Sequence, residues 1–366
     1  MSRPTCLGPE LLETIATYVA DADDLVAFLR ALPTELQTPP LAALRALAAN
    51  LPTTAVWPVL AVPDDLPQSM MRHVADCLRV VPTVRASAAL RSLRLPPNTA
   101  VELPELSSPT AYSCAMADWG HRIRAINVNF HDDTLWTIAA LEAWGANIAS
   151  LPSLKRLELR WGLNVHDELL QAPAMLLNSV AASSATEITF VFESWFEWDL
   201  CMAKAFASWL ESKPVARISF DGLFLPQNSA QARLLCDGLL VASSLTSIVI
   251  RGGNCAEAFL RSRHRLGNQV KELALDGCSK TLLPDLAATI DRTQLRSLAL
   301  GFCQPPPSTG LPRLLQMLHR AVTFWQVPAV DSATTVVART VGSLLHLRHL
   351  RLVGLEGHPL LEGIRL

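Results

Sequence analysis

The chain has 366 residues, half of them hydrophobic, with 31 basic and 33 acidic side chains and a formal net charge of −2. The apolar content excludes disorder over most of the length, and the balanced charge argues against a nucleic-acid partner, which normally requires a basic patch. No stretch of 18 apolar residues occurs and no apolar segment follows the first residues, so neither a membrane span nor a secretory signal is predicted. The eight cysteines form no CxxC pairs, which argues against a zinc site and favours a reducing location, cytoplasmic or nuclear.

The first fifty residues have the pattern of a helical module. A proline at position 9 suits a helix start, and the acidic segment 21–24 supplies a break and an N-cap for a second helix over residues 25–32. A third helix is expected over residues 41–48. The stripe of the first helix is formed by Leu7, Leu11, Leu12, Ile15 and Val19. We therefore predict a separate helical domain over residues 1–50.

A six-residue pattern, apolar-x-x-apolar-x-apolar, recurs along the rest of the chain at intervals of 25 to 33 residues, with one double interval. Weaker copies lie at residues 57–62 and 322–327. The intervening stretches have helical character. The middle apolar residues of the nine good copies are Leu93, Ile126, Leu157, Ile188, Ile218, Ile248, Leu273, Leu298 and Leu350. A strand followed by a helix with this period is typical of a leucine-rich repeat, so residues 51–366 are predicted to form an α/β solenoid, a horseshoe of about ten repeats.

The alternative fold is a doubly wound α/β domain, which also alternates strands and helices. Its strands are buried on both faces and should be continuously apolar. Here the positions between the apolar residues are often charged or polar, which favours a sheet with one open face, the concave wall of a solenoid.

Side chains on that open face are the candidate binding residues, because the pleat points them away from the core. Four aromatic and three acidic residues also follow the strand at Ile188, and we expect three of these rings to form anchors at the rim of the face. The alternative is that they pack against the turn and the next helix. The predicted protein-binding residues are Asn127, Arg156, Glu158, Arg160, Trp161, Glu187, Trp195, Phe196, Trp198, Arg217, Asp221 and Glu272.

The N-terminal residues carry a resemblance to a known family. The series that resembles the opening of an F-box consists of Leu7, Pro9, Glu10, Leu11, Leu12, Ile15, Tyr18, Val19, Asp24 and Leu25. Cys278 and Cys303, each at the end of a strand motif, resemble the cysteine-containing repeats common in the F-box/leucine-rich-repeat family, part of the ribonuclease-inhibitor-like superfamily. The resemblance implies a substrate receptor of a cullin–RING ubiquitin ligase, which docks on the adaptor subunit through Pro9, Leu11, Leu12 and Ile15 and holds an unknown protein substrate on its repeats.

Signatures of catalysis are absent from the sequence, which has no GxGxxG, GxxxxGK[ST], GxSxG or HExxH motif. We therefore expect a non-enzymatic protein without cofactor or bound metal. Two other functions stay open. One is a repeat scaffold or inhibitor in which the N-terminal helices only cap the repeats, and the other is an enzyme whose site lies on loops.

Overall fold

A computed structural model of the chain describes residues 8–130, 136–162, 172–225, 229–262, 265–278, 283–290, 293–302 and 349–353. These residues form two compact units. The first extends to Asn127 and includes Leu151–Leu154, and the second comprises Val128–Ser150 and the residues from Lys155 onward. Among the described residues, no helix has the length and apolar composition needed to cross a bilayer.

The first unit begins with helices, in agreement with the sequence pattern. Asp21 caps the second of them, since its carboxylate accepts hydrogen bonds from the amides of Asp23 and Asp24 at 2.8 and 3.1 Å. Pro9 occupies the first turn of the first helix, where its missing N–H leaves no donor unpaired. The helices are α1 (Pro9–Tyr18), α2 (Ala22–Ala31), α3 (Pro39–Asn50), α4 (Thr53–Val56), α5 (Gln68–Cys77) and α6 (Pro109–Trp119).

Helices α2 and α3 pack against each other, and α1 is tied to later residues of the unit. The indole N–H of Trp57 donates to the carbonyl of Val19 at 2.6 Å, and the guanidinium of Arg79 binds the carboxylate of Glu13 at 2.5 and 2.7 Å. Helix α3 packs against α5. The buried side chains of the three helices include Leu12, Ala16, Leu25, Leu29, Leu41, Leu44 and Leu47.

Short parallel strands alternate with helices in the rest of the first unit. They are β1 (Val59–Ala61), β2 (Thr83–Arg85), β3 (Ala100–Leu106) and the start of β4 (Ile123–Phe130), whose residues 128–130 belong to the second unit. β1 pairs with β2 and β2 with β3, in chain order. The weak copy of the motif at residues 57–62 is thus a strand, and β2 was not predicted.

The copy of the motif that was predicted over residues 90–95 is wrong. Ala89–Ser92 forms a 3₁₀ turn instead, and the strand of this repeat is β3. Two prolines follow at positions 96 and 97, and since they have no N–H they cannot donate to a sheet. The Arg122 guanidinium also donates to the carbonyls of Leu95 and Pro96 at 3.2 and 2.6 Å, so these two acceptors bind a side chain.

The second unit repeats a strand and a helix, and its strands pair in parallel and in chain order from β5 to β11. Its helices are α7 (Ile138–Ala149), α8 (Ala172–Ala182), α9 (Leu200–Ser212), α10 (Ala230–Val241), α11 (Cys255–Arg261) and α12 (Leu283–Ile290). Its further strands are β5 (Arg156–Trp161), β6 (Glu187–Glu197), β7 (Arg217–Phe224), β8 (Ser247–Arg251), β9 (Glu272–Cys278), β10 (Ser297–Phe302) and β11 (His349–Val353).

The strand register confirms the repeat that the sequence predicted for this unit. The middle apolar residues of the motif are direct neighbours across the sheet, in the order Leu157, Ile188, Ile218, Ile248, Leu273, Leu298 and Leu350. Two residues further along each strand lies a second buried row, formed by Leu159, Phe190, Phe220, Ile250, Leu275 and Leu300. The weak copy at residues 322–327 lies outside the described residues.

Glycines at the ends of the strands bring neighbouring repeats close together. Gly253 has a φ of 60°, in the left-handed region, and a Cβ built there would collide with the carbonyl oxygen of Leu223 in the preceding repeat. The next residue, Asn254, binds the backbone of Leu225 twice, since its side chain accepts from the amide at 2.7 Å and donates to the carbonyl at 2.6 Å. Each contact fixes one repeat on the backbone of the one before it.

We therefore expect Gly253→Ala to destabilise the protein. A methyl group in this conformation costs about 1–2 kcal/mol for the left-handed backbone alone, and the collision with Leu223 adds to it. Chemical denaturation followed by circular dichroism would measure the loss. Gly120→Ala is the matched control, because Gly120 has a φ of −41° and the nearest atom to its added methyl would be 3.9 Å away. Equal stabilities of the two variants would contradict this account.

Candidate protein-binding face

On β5 to β10, the side chains that alternate with the residues of the two buried rows point away from the core. We call the surface that they form the open face. The pairing of the strands aligns them in three rows. The first row is Arg156, Glu187, Arg217, Ser247, Glu272 and Ser297. The middle row is Glu158, Thr189, Ser219, Val249, Ala274 and Ala299. The third row is Arg160, Val191, Asp221 and Arg251.

Charged residues flank a middle row of mostly small residues. In the first row the side chains of Arg217 and Glu272 are 49% and 50% exposed. In the middle row Ser219 and Val249 are buried by their neighbours, and the two alanines that follow add only a methyl group each. The middle row is therefore the floor of a shallow depression between two charged edges.

The charges of the open face are organised by contacts among themselves. The guanidinium of Arg217 lies 3.8 Å from the carboxylate of Glu272, across β8, because the intervening residue in the row is the short Ser247. The hydroxyl of Ser247 donates to the same carboxylate at 3.0 Å. On β5, Arg160 and Glu158 form an ion pair at 3.2 Å. Exposed pairs of this kind contribute about 0–1 kcal/mol to stability, so their main effect is to hold the charges in position.

The structure brings most of the predicted binding residues together. Arg156, Glu187, Arg217 and Glu272 lie in the first row, Glu158 in the middle row, and Arg160 and Asp221 in the third row. Asn127 is half-buried on β4 and belongs to the first unit. The sequence reasoning missed Arg251, although it occupies the same place after its motif as Arg160 and Asp221 do after theirs.

The predicted aromatic anchors need correction. Trp161 is 4% exposed and Trp198 is 1% exposed, so neither ring is available to a partner. Trp198 lies between β6 and α9. Its ring centroid is 5.1 Å from that of Phe206 and 5.7 Å from that of Phe220. The alternative prediction, that these rings pack against the turn and the next helix, is confirmed for Trp198. The side chains of Trp195 and Phe196 lie outside the described part of the chain, although the backbone of β6 continues through both residues.

The predicted adaptor-binding residues divide between the core and the surface of α1. Leu12 is buried and supports the helix, whereas Pro9 is exposed, Leu11 is 45% exposed and Ile15 is half-buried. Tyr18, which is 83% exposed, was not among the predicted site residues. Its place seven residues after Leu11 puts it on the same side of the helix as Leu11 and Ile15. We call these three residues the outer stripe of α1.

The described residues include neither a cluster of potential metal ligands nor an activated cysteine among the three buried thiols considered below. No cluster of three or more histidine, cysteine, aspartate or glutamate residues with metal-binding geometry occurs within the described ranges. Burial raises the pKa of the thiols of Cys77 and Cys236 to about 12, and burial also raises the pKa of the Cys255 thiol, with the neighbouring Cys236 adding to it. These three cysteines stay protonated at neutral pH and lack the thiolate that a nucleophile requires.

A cavity of about 360 Å³ lies between α10 and α11. Its lining includes Arg233 and Asp237 on α10 and an ion pair between Glu257 and Arg261 on α11. Small-molecule pockets are mostly apolar with a few convergent polar groups, and this mixed charged groove lacks that character.

Because Trp198 is buried among other aromatic rings, Trp198→Ala should lower the free energy of unfolding by about 3–5 kcal/mol. Thermal denaturation would measure the effect. Lys204→Ala, at an exposed position of α9, is the control and should change stability by no more than about 0.5 kcal/mol. An unchanged melting temperature for Trp198→Ala would show that the ring does not belong to the core.

The sequence was also compared with models of known protein families and with curated proteins, and it matches none of them.

Proposed function

We propose that this chain is a protein-binding receptor with two attachment surfaces, and that it serves as the substrate-recognition subunit of a cullin–RING ubiquitin ligase. The open face of the second unit would hold the substrate protein, and the outer stripe of α1 would dock on the adaptor subunit. The chain itself would carry out no chemistry and need no cofactor, because ubiquitin transfer belongs to other subunits. Such a complex works in the cytoplasm or nucleus.

The observation that carries the protein-binding part is the open face. Five of its six parallel strands present charged side chains in register, with both signs interspersed beside a middle row of mostly small residues. A nucleic-acid partner would favour a basic surface, and a small molecule would favour an enclosed apolar pocket. A shallow face with mixed charges best fits another protein, which can present complementary charges over the same area.

The outer stripe of α1 supports the adaptor part. A helix at a protein surface normally buries one apolar stripe, and α1 already buries Leu12 and Ala16. The outer stripe is a second apolar surface on the same helix, and it includes Leu11 and Ile15, two of the residues that the F-box resemblance assigns to docking. A helix with an apolar surface of this kind is a common way to bind a groove in a partner.

A second candidate function is a scaffold or inhibitor whose N-terminal helices form only a cap. The bond between Trp57 and Val19 and the ion pair between Glu13 and Arg79 favour it, because they attach α1 to later residues of the first unit. A deletion of residues 1–50 would therefore remove a docking surface and expose apolar core at once. Substitutions on the outer stripe separate the two roles.

We expect the double variant Leu11→Gln and Tyr18→Gln to lose co-purification with a cullin–RING adaptor subunit, because it replaces exposed apolar contacts by polar ones. Binding of the purified adaptor to the full-length chain would be measured by size-exclusion chromatography and calorimetry. The loss should exceed tenfold in affinity, in line with the roughly 2 kcal/mol or more of a hot-spot residue. Thermal stability should change little, since both side chains are exposed in the free chain.

Thr17→Gln is the matched control, since Thr17 is exposed on another side of α1, and it should bind the adaptor normally. If the unsubstituted chain does not bind the adaptor at all, the ligase assignment fails and the scaffold function remains. If the double variant binds as well as the unsubstituted chain, the outer stripe is not the docking surface.

A further inference from the structure

The depression on the open face has a definite width. Along each strand, the first-row and third-row residues are four positions apart, as Arg156 and Arg160 are on β5. With a rise of about 3.3 Å per residue, the two charged rows are about 13 Å apart. On β6 to β8 the residues between them are Thr189, Ser219 and Val249, and the middle row continues past the end of the third row with Ala274 on β9 and Ala299 on β10. On β5 the longer Glu158 is bonded to Arg160 of the third row. We call this strip, from β5 to β10, the lane.

The length and period of the lane are fixed by the spacing of the strands. Neighbouring strands lie about 4.8 Å apart, so six strands give a lane about 24 Å long. An α-helix has a diameter of about 10–12 Å with its side chains and a pitch of 5.4 Å. A helix laid across the strands thus fits between the charged rows and advances by nearly one turn for each strand. Over five intervals the mismatch is about 3 Å, which arginine and glutamate side chains can span.

An extended segment fits the same lane less well. Its side chains on one face recur about every 6.6 Å, which does not match the spacing of the strands. Its backbone N–H and C=O groups would also lie over side chains such as Val249 and Ala274, which offer them no hydrogen bonds. A helix satisfies its own backbone groups and requires only a stripe of small apolar residues to meet the floor.

We propose that the lane binds one α-helix of the partner protein, about 16 residues long, with small apolar residues facing the middle row and a charged flank facing the first row. This inference rests on the proposed protein-binding function of the open face. The first row carries positive charge on β5 and β7, at Arg156 and Arg217, and negative charge on β6 and β9, at Glu187 and Glu272.

The complementary flank therefore presents, turn by turn, an acid, a base, an acid, a neutral residue opposite Ser247, and a base. This order fixes the position of the helix along the lane, because a shift by one strand would place like charges together on β5 to β7. Like charges that face each other across an interface oppose binding. The order of signs along the row, rather than the net charge of the face, is the recognition element.

The test uses fluorescently labelled, side-chain-stapled helical peptides and the full-length chain. One peptide carries the complementary order of charges on one flank above an alanine stripe, and a second carries every sign reversed. Fluorescence anisotropy should show at least tenfold tighter binding of the complementary peptide. Equal affinity for the two peptides, or no binding of either, would overturn the proposal.

A charge swap supplies the sharpest control. The double variant Arg217→Glu and Glu272→Arg keeps an ion pair at the same place but reverses two of the four charges in the first row. It should lose the preference for the complementary peptide, with unchanged thermal stability. Lys204→Glu, which alters a charge on α9 outside the open face, should keep the preference. If the charge-swapped variant still prefers the complementary peptide, the first row does not determine which peptide binds.

Two further measurements separate this inference from the proposed function. Ala274→Arg places a long side chain on the floor and should weaken binding of the complementary peptide at least tenfold. An unstapled peptide with the same order of charges, in which two alanines are replaced by prolines that prevent a helix, should bind at least tenfold more weakly. If it binds as tightly as the helix, the helical occupant is wrong while the open face stands as a protein-binding surface, and the adaptor experiment on α1 is unaffected by either result.

Discussion

The geometry of the second unit depends on two apolar side chains in each strand, two residues apart, which must face the same way to leave water. Because the strands pair in parallel, the middle apolar residues from Leu157 to Leu350 are forced into one row, and the second residues of each pair into another. Every residue between them is then directed to the opposite face. The open face is thus a consequence of core formation, and its charged residues inherit the register of the buried ones.

The aromatic cluster beneath β6 and β7 shows how this core is completed. Phe190 and Phe220 are neighbours in the second buried row, with ring centroids 5.7 Å apart, and Phe206 from α9 closes over them. Trp198 fills the remaining space at the end of β6. Aromatic pairs of this kind contribute about 0.5–1.5 kcal/mol each beyond the burial of their area, so Phe190, Trp198, Phe206 and Phe220 belong to the core of this unit and not to a rim.

The sequence was a good guide where a pattern reports on the backbone directly. The period-two apolar pairs from Leu157 to Leu298 predicted the strands and their register. The acidic segment 21–24 predicted a cap for α2, although the helix begins at Ala22 and not at residue 25. The sequence was a poor guide where the same pattern suits two conformations, as in residues 90–95, where Ala89–Ser92 forms a 3₁₀ turn. It was also a poor guide to burial. The exposure of Tyr18 and the burial of Trp198 depend on which neighbours pack beside them, and no local pattern contains that information.

Repeat length changes within the second unit without disturbing the sheet. Thirty residues separate Ile218 from Ile248, and 25 separate Ile248 from Leu273, yet the three are direct neighbours across the sheet. The shortening falls in the helical segment, where α11 is five residues shorter than α10. Insertions and deletions can therefore accumulate among the helices during evolution while the spacing of the exposed charges is inherited unchanged. Under the proposed function, substitution of single strand residues would then alter partner choice without any change in the rest of the fold.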